Sequence, residues 1–203
     1  MIRVQAGDVG FTRGTGLLQR AIRYATRGPN EEKTWANHVL LFTTPGTVGP
    51  APRIDTDWGT GQAWAIEALA RVEENHWYDR HKKEIGYTLR VYRPTFLTPE
   101  TTARLVETAR AHVGERYGWW KLLFHGVDRF VFNDRKVLSQ FLRVDSRPIC
   151  SYLVARAFQI AGYRAAFGPI VPAAQDPDEM LDWVDKSTYY DETWKYVGEF
   201  EVE

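Results

Sequence analysis

Hydrophobic and polar positions repeat with two periods along the chain, and each change of period marks a predicted element. Apolar runs and two-residue alternation predict strands at 7–12, 36–44, 62–70 and 85–94, with a last strand in the aromatic tail 189–203. Apolar positions spaced three and four apart predict helices at 15–28, 98–113, 150–161 and 176–185. This order predicts an α+β domain built on an antiparallel sheet packed against helices.

The remaining segments connect these elements. Residues 45–61 are rich in Gly, Pro, Thr and Asp and predict a loop, and the polar stretch 71–84 predicts a turn or hairpin arm. The aromatic and cationic stretch at about 118–147 predicts short helices that form a variable flap. We find no repeat or linker, so the expected organisation is a single domain over 1–203.

Two helices carry clear end signals. Thr98 is the expected N-cap of the 98–113 helix, because Pro99 and Glu100 follow it in the first turn. Gly162 directly follows the 150–161 helix and is the expected C-terminal stop.

Charge and composition narrow the partners. The 26 basic and 26 acidic residues cancel, so nothing favours nucleic acid, and no apolar run approaches the roughly 20 residues of a membrane span. The N-terminus has no signal-peptide pattern, which makes a cytoplasmic location the default expectation and a secreted or virion-associated one the alternative. The arginines of helix 15–28 indicate a solvated face more than a peripheral membrane contact.

Cys150 is the only cysteine, and it lies in the first turn of a predicted helix. There the unpaired N–H groups and the helix dipole favour a thiolate, and the same N–H groups could bind an oxyanion. However, Cys150 also precedes Leu153, Val154 and Ala157 at helical spacing and so shares their apolar face. Both an inert buried thiol and a nucleophile fit this position.

Two upstream residues offer partners for a thiolate. His38 lies near the start of a predicted strand, on the face shared with Leu40 and Phe42, where it is either a core histidine or a general base. Glu67 lies in the middle of an apolar strand, where an unpaired carboxylate is costly to bury. A neighbouring imidazole would account for Glu67, and the alternative is an edge strand with Glu67 facing solvent.

The combination and order of these motifs resemble the circularly permuted NlpC/P60 proteins, papain-like hydrolases of the YiiX/YaeF kind. The resemblance covers most of 7–182, and its specific parts are "NHV" at 37–39 and "CSYLVARAFQIAG" at 150–162. The order His, Glu, Cys is the reverse of ordinary papain-like enzymes. The resemblance implies a permuted papain-like fold, a partial barrel packed against helices, in a bacterial or phage protein.

The resemblance also implies roles for single residues. Cys150 would be the nucleophile, His38 the general base and acid, and Glu67 the residue that orients His38. Tyr117 matches the family's tyrosine, and it is with Ser151 a candidate for substrate binding or oxyanion support, although the Ser151 hydroxyl turns away from Cys150 on a helix.

Three functions follow from these observations. The first is a cysteine hydrolase of peptidase or amidase type, acting on a cell-wall peptide or an N-acyl or lipid substrate. The second is an acyltransferase with the same triad, for which an apolar flap at 118–147 would be the sign. The third is a binding module that keeps the scaffold without turnover and stacks scattered tryptophans on sugars. The spacings of His76, His81 and His112 match no zinc motif, so we expect no metal or cofactor.

Overall fold

The computed structural model describes residues 1–16, 19–20, 34–50, 61–116, 149–169, 171–172 and 175–203. Their strands are β1 Ile2–Val4, β2 Val9–Arg13, β3 His38–Phe42, β4 Gly46–Val48, β5 Trp64–Ala68, β6 Val72–His76, β7 Thr88–Pro94 and β8 Trp194–Glu201. Their helices are α1 Trp77–His81, α2 Pro99–Arg110, α3 Cys150–Ala161 and α4 Pro177–Tyr190.

The strands form one large sheet and one small one. The large sheet has the order β6-β5-β3-β2-β7-β8, and all its neighbours are antiparallel. Strands β1 and β4 pair separately. Strands β6 and β8 lie at opposite edges of the large sheet, so the described strands do not close into a barrel. The predicted α+β class with an antiparallel sheet is confirmed.

A separate apolar core lies on each face of the large sheet, because successive side chains of a strand point to opposite faces. Val39, Leu41 and Ile66 pack with α2, α3 and α4 in the first core, which we call the helical core. Leu40, Phe42 and Ala65 pack with α1, Tyr87 and the β1–β4 pair in the second, which we call the opposite core. The sheet is therefore covered on both sides where it carries the candidate site.

The helix ends follow the local sequence. The Thr98 hydroxyl accepts from the backbone N–H of Thr101 at 3.2 Å, and the Thr101 hydroxyl accepts from the N–H of Thr98 at 2.8 Å. These two bonds form a capping box at the start of α2. Gly162 ends α3 in the left-handed region at φ 108°, where a side chain would be strained. Both predicted end signals are confirmed.

The structure also differs from the predictions in three places. The loop 45–61 contains the short strand β4, and the polar stretch 71–84 forms β6 and α1 as well as turns. Helix α4 continues to Tyr190, five residues beyond its predicted end, because Val184 and Ser187 keep a buried face. Most of the predicted 15–28 helix and all of the 118–147 flap lie outside the described residues.

Candidate active site

Cys150 is the first residue of α3, held at the sheet by the apolar stripe that follows it. Ile149 is the N-cap in an extended conformation, and Leu153 and Val154 are buried against the sheet. Only 4% of Cys150 is exposed. The backbone N–H groups of Val39 and Ser151 donate hydrogen bonds to its sulfur. The sulfur therefore lies where a developing negative charge is met by backbone donors.

His38 opens β3, where it pairs with Thr12 of β2. Alternation along β3 places its side chain on the face of Leu40 and Phe42, as predicted, and 7% of the residue is exposed. Its imidazole is hydrogen-bonded to the Cys150 sulfur. The structure thus brings together two residues that are 112 positions apart in the sequence.

Glu67 lies on the internal strand β5, opposite Leu40 of β3, and 1% of it is exposed. This register puts it diagonally across from His38 on the same face, within reach of a long side chain. Glu67 Oε2 is 3.2 Å from His38 Nε2. The alternative of a solvent-facing edge residue is therefore wrong, and Glu67 contacts the imidazole.

The charges of these three groups support one another. Burial lowers the pKa of His38, but the negative charges of Cys150 and Glu67 and their hydrogen bonds outweigh it and raise the pKa to about 10. Burial raises the pKa of the Cys150 thiol, but the His38 imidazolium and the backbone donors lower it below its ordinary value. Together these shifts favour a thiolate–imidazolium pair.

The carboxylate completes this arrangement. Burial raises the pKa of Glu67, but hydrogen bonds from His38 and His81, together with their positive charges, lower it to about 2. An ionised carboxylate only accepts hydrogen bonds, so His38 Nε2 carries the proton. The other ring nitrogen, Nδ1, is then the one available to Cys150.

The thiol and its partners approach from different faces of the sheet. Helix α3 packs in the helical core, whereas His38 and Glu67 point into the opposite core. The apolar stripe alone would press Cys150 against Val39 and Leu41 instead of His38. The two sides meet because His38 is the first residue of β3 and α3 begins beside that strand end.

His81 is a site residue that the sequence reasoning missed. It ends the five-residue helix α1, and 2% of it is exposed. His81 Nε2 is 3.0 Å from Glu67 Oε1, and His81 Nδ1 is 3.0 Å from Glu84 Oε1. The spacing of Trp77 and His81, both buried on one face of α1, was the available signal. It could show burial of His81 but not its partner.

Ser151 does not present its hydroxyl to the site. The residue is fully buried, and its hydroxyl donates to the backbone carbonyl of Gln175 at 2.7 Å. Its backbone N–H is what lies against the sulfur. Tyr117 lies outside the described residues. The support of an oxyanion by Tyr117 or Ser151 stays a prediction.

The described residues include no group of three or more His, Cys, Asp or Glu side chains that could hold a metal ion. His76 stacks against Trp64 with ring centroids 4.0 Å apart, and His112 pairs with Glu115 at 3.0 Å. Neither histidine contacts the candidate site. None of the helices formed by the described residues is long and apolar enough to cross a membrane.

The segment before His38 is fixed from α4. Asp178 Oδ1 accepts from the backbone N–H groups of Trp35 and Ala36, each at 2.8 Å. Ala36 is fully buried, and Asp178 is 5% exposed. This carboxylate therefore determines the path by which the chain enters β3.

Asp178→Ala is expected to lower the free energy of unfolding by about 1–3 kcal/mol, because two backbone donors lose a charged acceptor. Urea denaturation followed by circular dichroism measures the change. Lys186→Ala, at an exposed position of the same helix, is the control and is expected to change stability by less than about 0.5 kcal/mol. Equal stability of the two variants would contradict the role of Asp178.

Comparisons with known proteins give one structural likeness. No protein-family model matches the chain, and no curated protein matches its sequence. Among solved structures, the chain is similar to metalloprotein yiiX from Escherichia coli O157:H7, with 19% sequence identity and a TM-score of 0.47. The match covers 79% of this chain and 68% of that chain. These values assign neither a family nor an activity to the chain, and the candidate site therefore stands on its own geometry.

Proposed function

We propose that this chain is a cysteine hydrolase that cleaves an amide or ester bond through an acyl-enzyme. The observation that carries the proposal is the buried chain of contacts from Cys150 to His38 to Glu67. A buried thiol needs no such partners for packing alone. A nucleophile needs a base, and the base needs a group that holds its tautomer.

In the first half of the reaction, the Cys150 thiolate attacks the carbonyl carbon and forms a carbon–sulfur bond. The electron pair of the carbonyl moves to oxygen, near the backbone N–H of Ser151. The intermediate then collapses, and the bond to the leaving nitrogen or oxygen breaks. Protonated His38 gives that atom its proton, so an amine or alcohol leaves and a thioester remains.

In the second half, neutral His38 removes a proton from water as the water oxygen attacks the thioester. Collapse releases a carboxylic acid and restores the thiolate and the imidazolium. One water is consumed for each bond cleaved. Glu67 accepts from His38 Nε2 throughout and holds Nδ1 toward the sulfur.

The permuted papain-like fold of NlpC/P60 type is part of this proposal. It is supported by the order His38, Glu67, Cys150 and by the position of the cysteine at the start of a helix that packs on an antiparallel sheet. By the same resemblance, the substrate class is a cell-wall peptide or an N-acyl or lipid compound. The flap on which the acyltransferase alternative depended lies outside the described residues, so the hydrolase is the function we put forward.

Alkylation of Cys150 tests the proposal without a known substrate. At pH 6 an ordinary thiol, with a pKa near 8.5, is less than about 1% thiolate. We expect iodoacetamide to label folded Cys150 about 10-fold faster than it labels the urea-denatured chain at this pH, because the pair with His38 keeps the sulfur ionised. Mass spectrometry of the intact protein over time measures both rates.

His38→Ala is the matched variant for this experiment, since it removes the imidazolium and keeps the thiol. Its folded form is expected to lose the rate advantage at pH 6. Slow labelling of the folded wild type, with fast labelling only after denaturation, would show an inert core cysteine and would contradict the proposed function.

A further inference from the structure

The mechanism leaves one buried ionisable side chain on this face of the sheet without a role. His81 contributes no atom to the thiol or to its imidazole. It lies on the far side of Glu67, in a helix that the sequence analysis read as part of a turn. Its surroundings are nevertheless more polar than packing requires.

Both nitrogens of His81 face carboxylates. Nε2 lies 3.0 Å from Oε1 and 3.2 Å from Oε2 of Glu67, and Nδ1 lies 3.0 Å from Oε1 of Glu84. A neutral imidazole has one N–H and one bare nitrogen, whereas ionised carboxylates offer only acceptors. Two carboxylate partners therefore require His81 in its doubly protonated, positively charged form.

The aromatic neighbours suit a cation. The ring of Tyr87 stacks on His81 with centroids 4.6 Å apart and an interplanar angle of 8°, and Trp77 lies 5.2 Å away. The Tyr87 hydroxyl is hydrogen-bonded to Thr12 at 2.9 Å, which fixes the stacked ring. An aromatic face attracts positive charge electrostatically. The position of His81 is thus set by two rings as well as two carboxylates.

Glu67 connects this histidine to the site. One of its oxygens is 3.2 Å from His38 Nε2, and the same carboxylate accepts from His81 Nε2 through both oxygens. With a single partner, a buried carboxylate could rotate or take up a proton. With a fixed cation behind it, the carboxylate keeps one orientation and its negative charge.

We infer that His81 is a positioning residue, a protonated histidine that holds Glu67 ionised and oriented so that Glu67 in turn holds His38 toward Cys150. This inference rests on the proposed function and deepens it. It adds Glu84 as the outer carboxylate of a chain that runs Glu84, His81, Glu67, His38, Cys150. The side chain of Glu84 is 37% exposed, so the chain of contacts ends at the protein surface.

The charged and titratable groups around Glu67 are accounted for on each neighbouring element. His38 faces it from β3, and His81 from α1. Tyr87, which precedes β7, feels its charge. Glu73 of β6 is its cross-strand neighbour, and the Glu73 carboxylate accepts from Asn75 instead. The positive charges that hold Glu67 ionised therefore come from the two histidines.

The pH dependence of Cys150 alkylation tests the inference. Loss of an opposite charge at hydrogen-bonding distance raises the pKa of a carboxyl by about 1–3 units. In His81→Phe, the acid limb of the alkylation rate is therefore expected to move up by about 1 pH unit, with about a tenfold lower rate at pH 6. In His81→Gln, which keeps one N–H donor without the charge, the shift is expected to be smaller.

The chain offers a matched control and a milder variant. His112 pairs with Glu115 at the same three-residue spacing and the same 3.0 Å distance as His81 with Glu84, but away from the site. His112→Phe is expected to leave the alkylation profile unchanged. Glu84→Gln changes a half-exposed side chain, so it keeps the test open if His81→Phe does not fold, and it is expected to shift the acid limb in the same direction.

The outcomes separate the two proposals. An activated thiol in the wild type, with unchanged profiles in His81→Gln and Glu84→Gln, would overturn the role of His81 and leave the hydrolase intact. An unactivated wild-type thiol would overturn both. Nitrogen NMR of histidine-labelled protein at pH 7 gives a second readout. Two protonated ring nitrogens on His81 are expected, and one bare nitrogen would overturn the inference whatever the thiol does.

Discussion

Cys150→Ala is expected to abolish hydrolysis, with turnover falling by at least about 10⁴-fold. In hydrolases that use a covalent intermediate, removal of the nucleophile costs about 10⁶ in turnover, and the remaining groups supply only a small background rate. The sulfur has no substitute here, because the Ser151 hydroxyl is bound to the carbonyl of Gln175. The measurement is the release of nitrophenol or nitroaniline from a panel of acyl esters and peptidyl anilides.

Two variants support the interpretation of that loss. Cys150→Ser keeps the shape of the side chain but offers a hydroxyl that His38 does not ionise, so it is expected to be nearly as inactive. Ala155→Gly, one turn along the same helix, alters no atom of the site and is expected to keep turnover within about threefold once its folding is confirmed. Mass spectrometry of the wild type should detect a thioester on Cys150. Full turnover by Cys150→Ala would refute the acyl-enzyme mechanism.

Glu67→Ala is expected to have the largest effect on stability, lowering the free energy of unfolding by about 3–5 kcal/mol. Removing one partner of a buried ion pair leaves the other charge without compensation. Here two buried imidazoles, those of His38 and His81, lose the same carboxylate. Urea denaturation at pH 7 measures the loss.

The control for this variant is Glu199→Ala. Glu199 pairs with Arg90 at 2.6 Å, but both side chains are 30% or more exposed, and such a pair contributes about 1 kcal/mol or less. A loss in Glu67→Ala no larger than in Glu199→Ala would contradict the description of Glu67 as the common anchor of two buried histidines.

The pH dependence of stability provides a second measurement on Glu67. Its pKa is about 2 in the folded chain against an ordinary 4.5, so the folded state favours the ionised form. The resulting stabilisation, about 3 kcal/mol, is fully present above pH 4.5 and is lost as the pH falls toward 2. Wild-type stability should therefore decrease over this range, and Glu67→Ala should lack this part of the decrease.

Helix α3 was predictable because its signals are local. The apolar stripe from Leu153 to Ala161 and the stop at Gly162 depend on neighbours three or four positions away. The face of His38 was predictable for the same reason, since alternation with Leu40 and Phe42 decides it. Strand alternation and helical spacing need no knowledge of the rest of the chain.

The contacts of the site depend on features that the sequence does not display. Glu67 reaches His38 because β5 pairs with β3 in the register that sets Leu40 opposite Glu67. His81 reaches Glu67 because β6 turns directly into α1 over the opposite core. Both facts depend on pairing between distant segments, and period alone does not specify a register. A histidine in the polar stretch 71–84 therefore looked like a surface residue.

The meeting of the site residues across the sheet has a consequence for folding. Cys150 comes with the helical core, and His38, Glu67 and His81 come with the opposite core. Neither core alone places the imidazole beside the sulfur. Until both layers have assembled on β3, the cysteine is an ordinary thiol that is almost entirely protonated at neutral pH. The folding chain thus carries no reactive sulfur while its partly formed surfaces are open to other molecules, and nucleophilicity arises only with the completed structure.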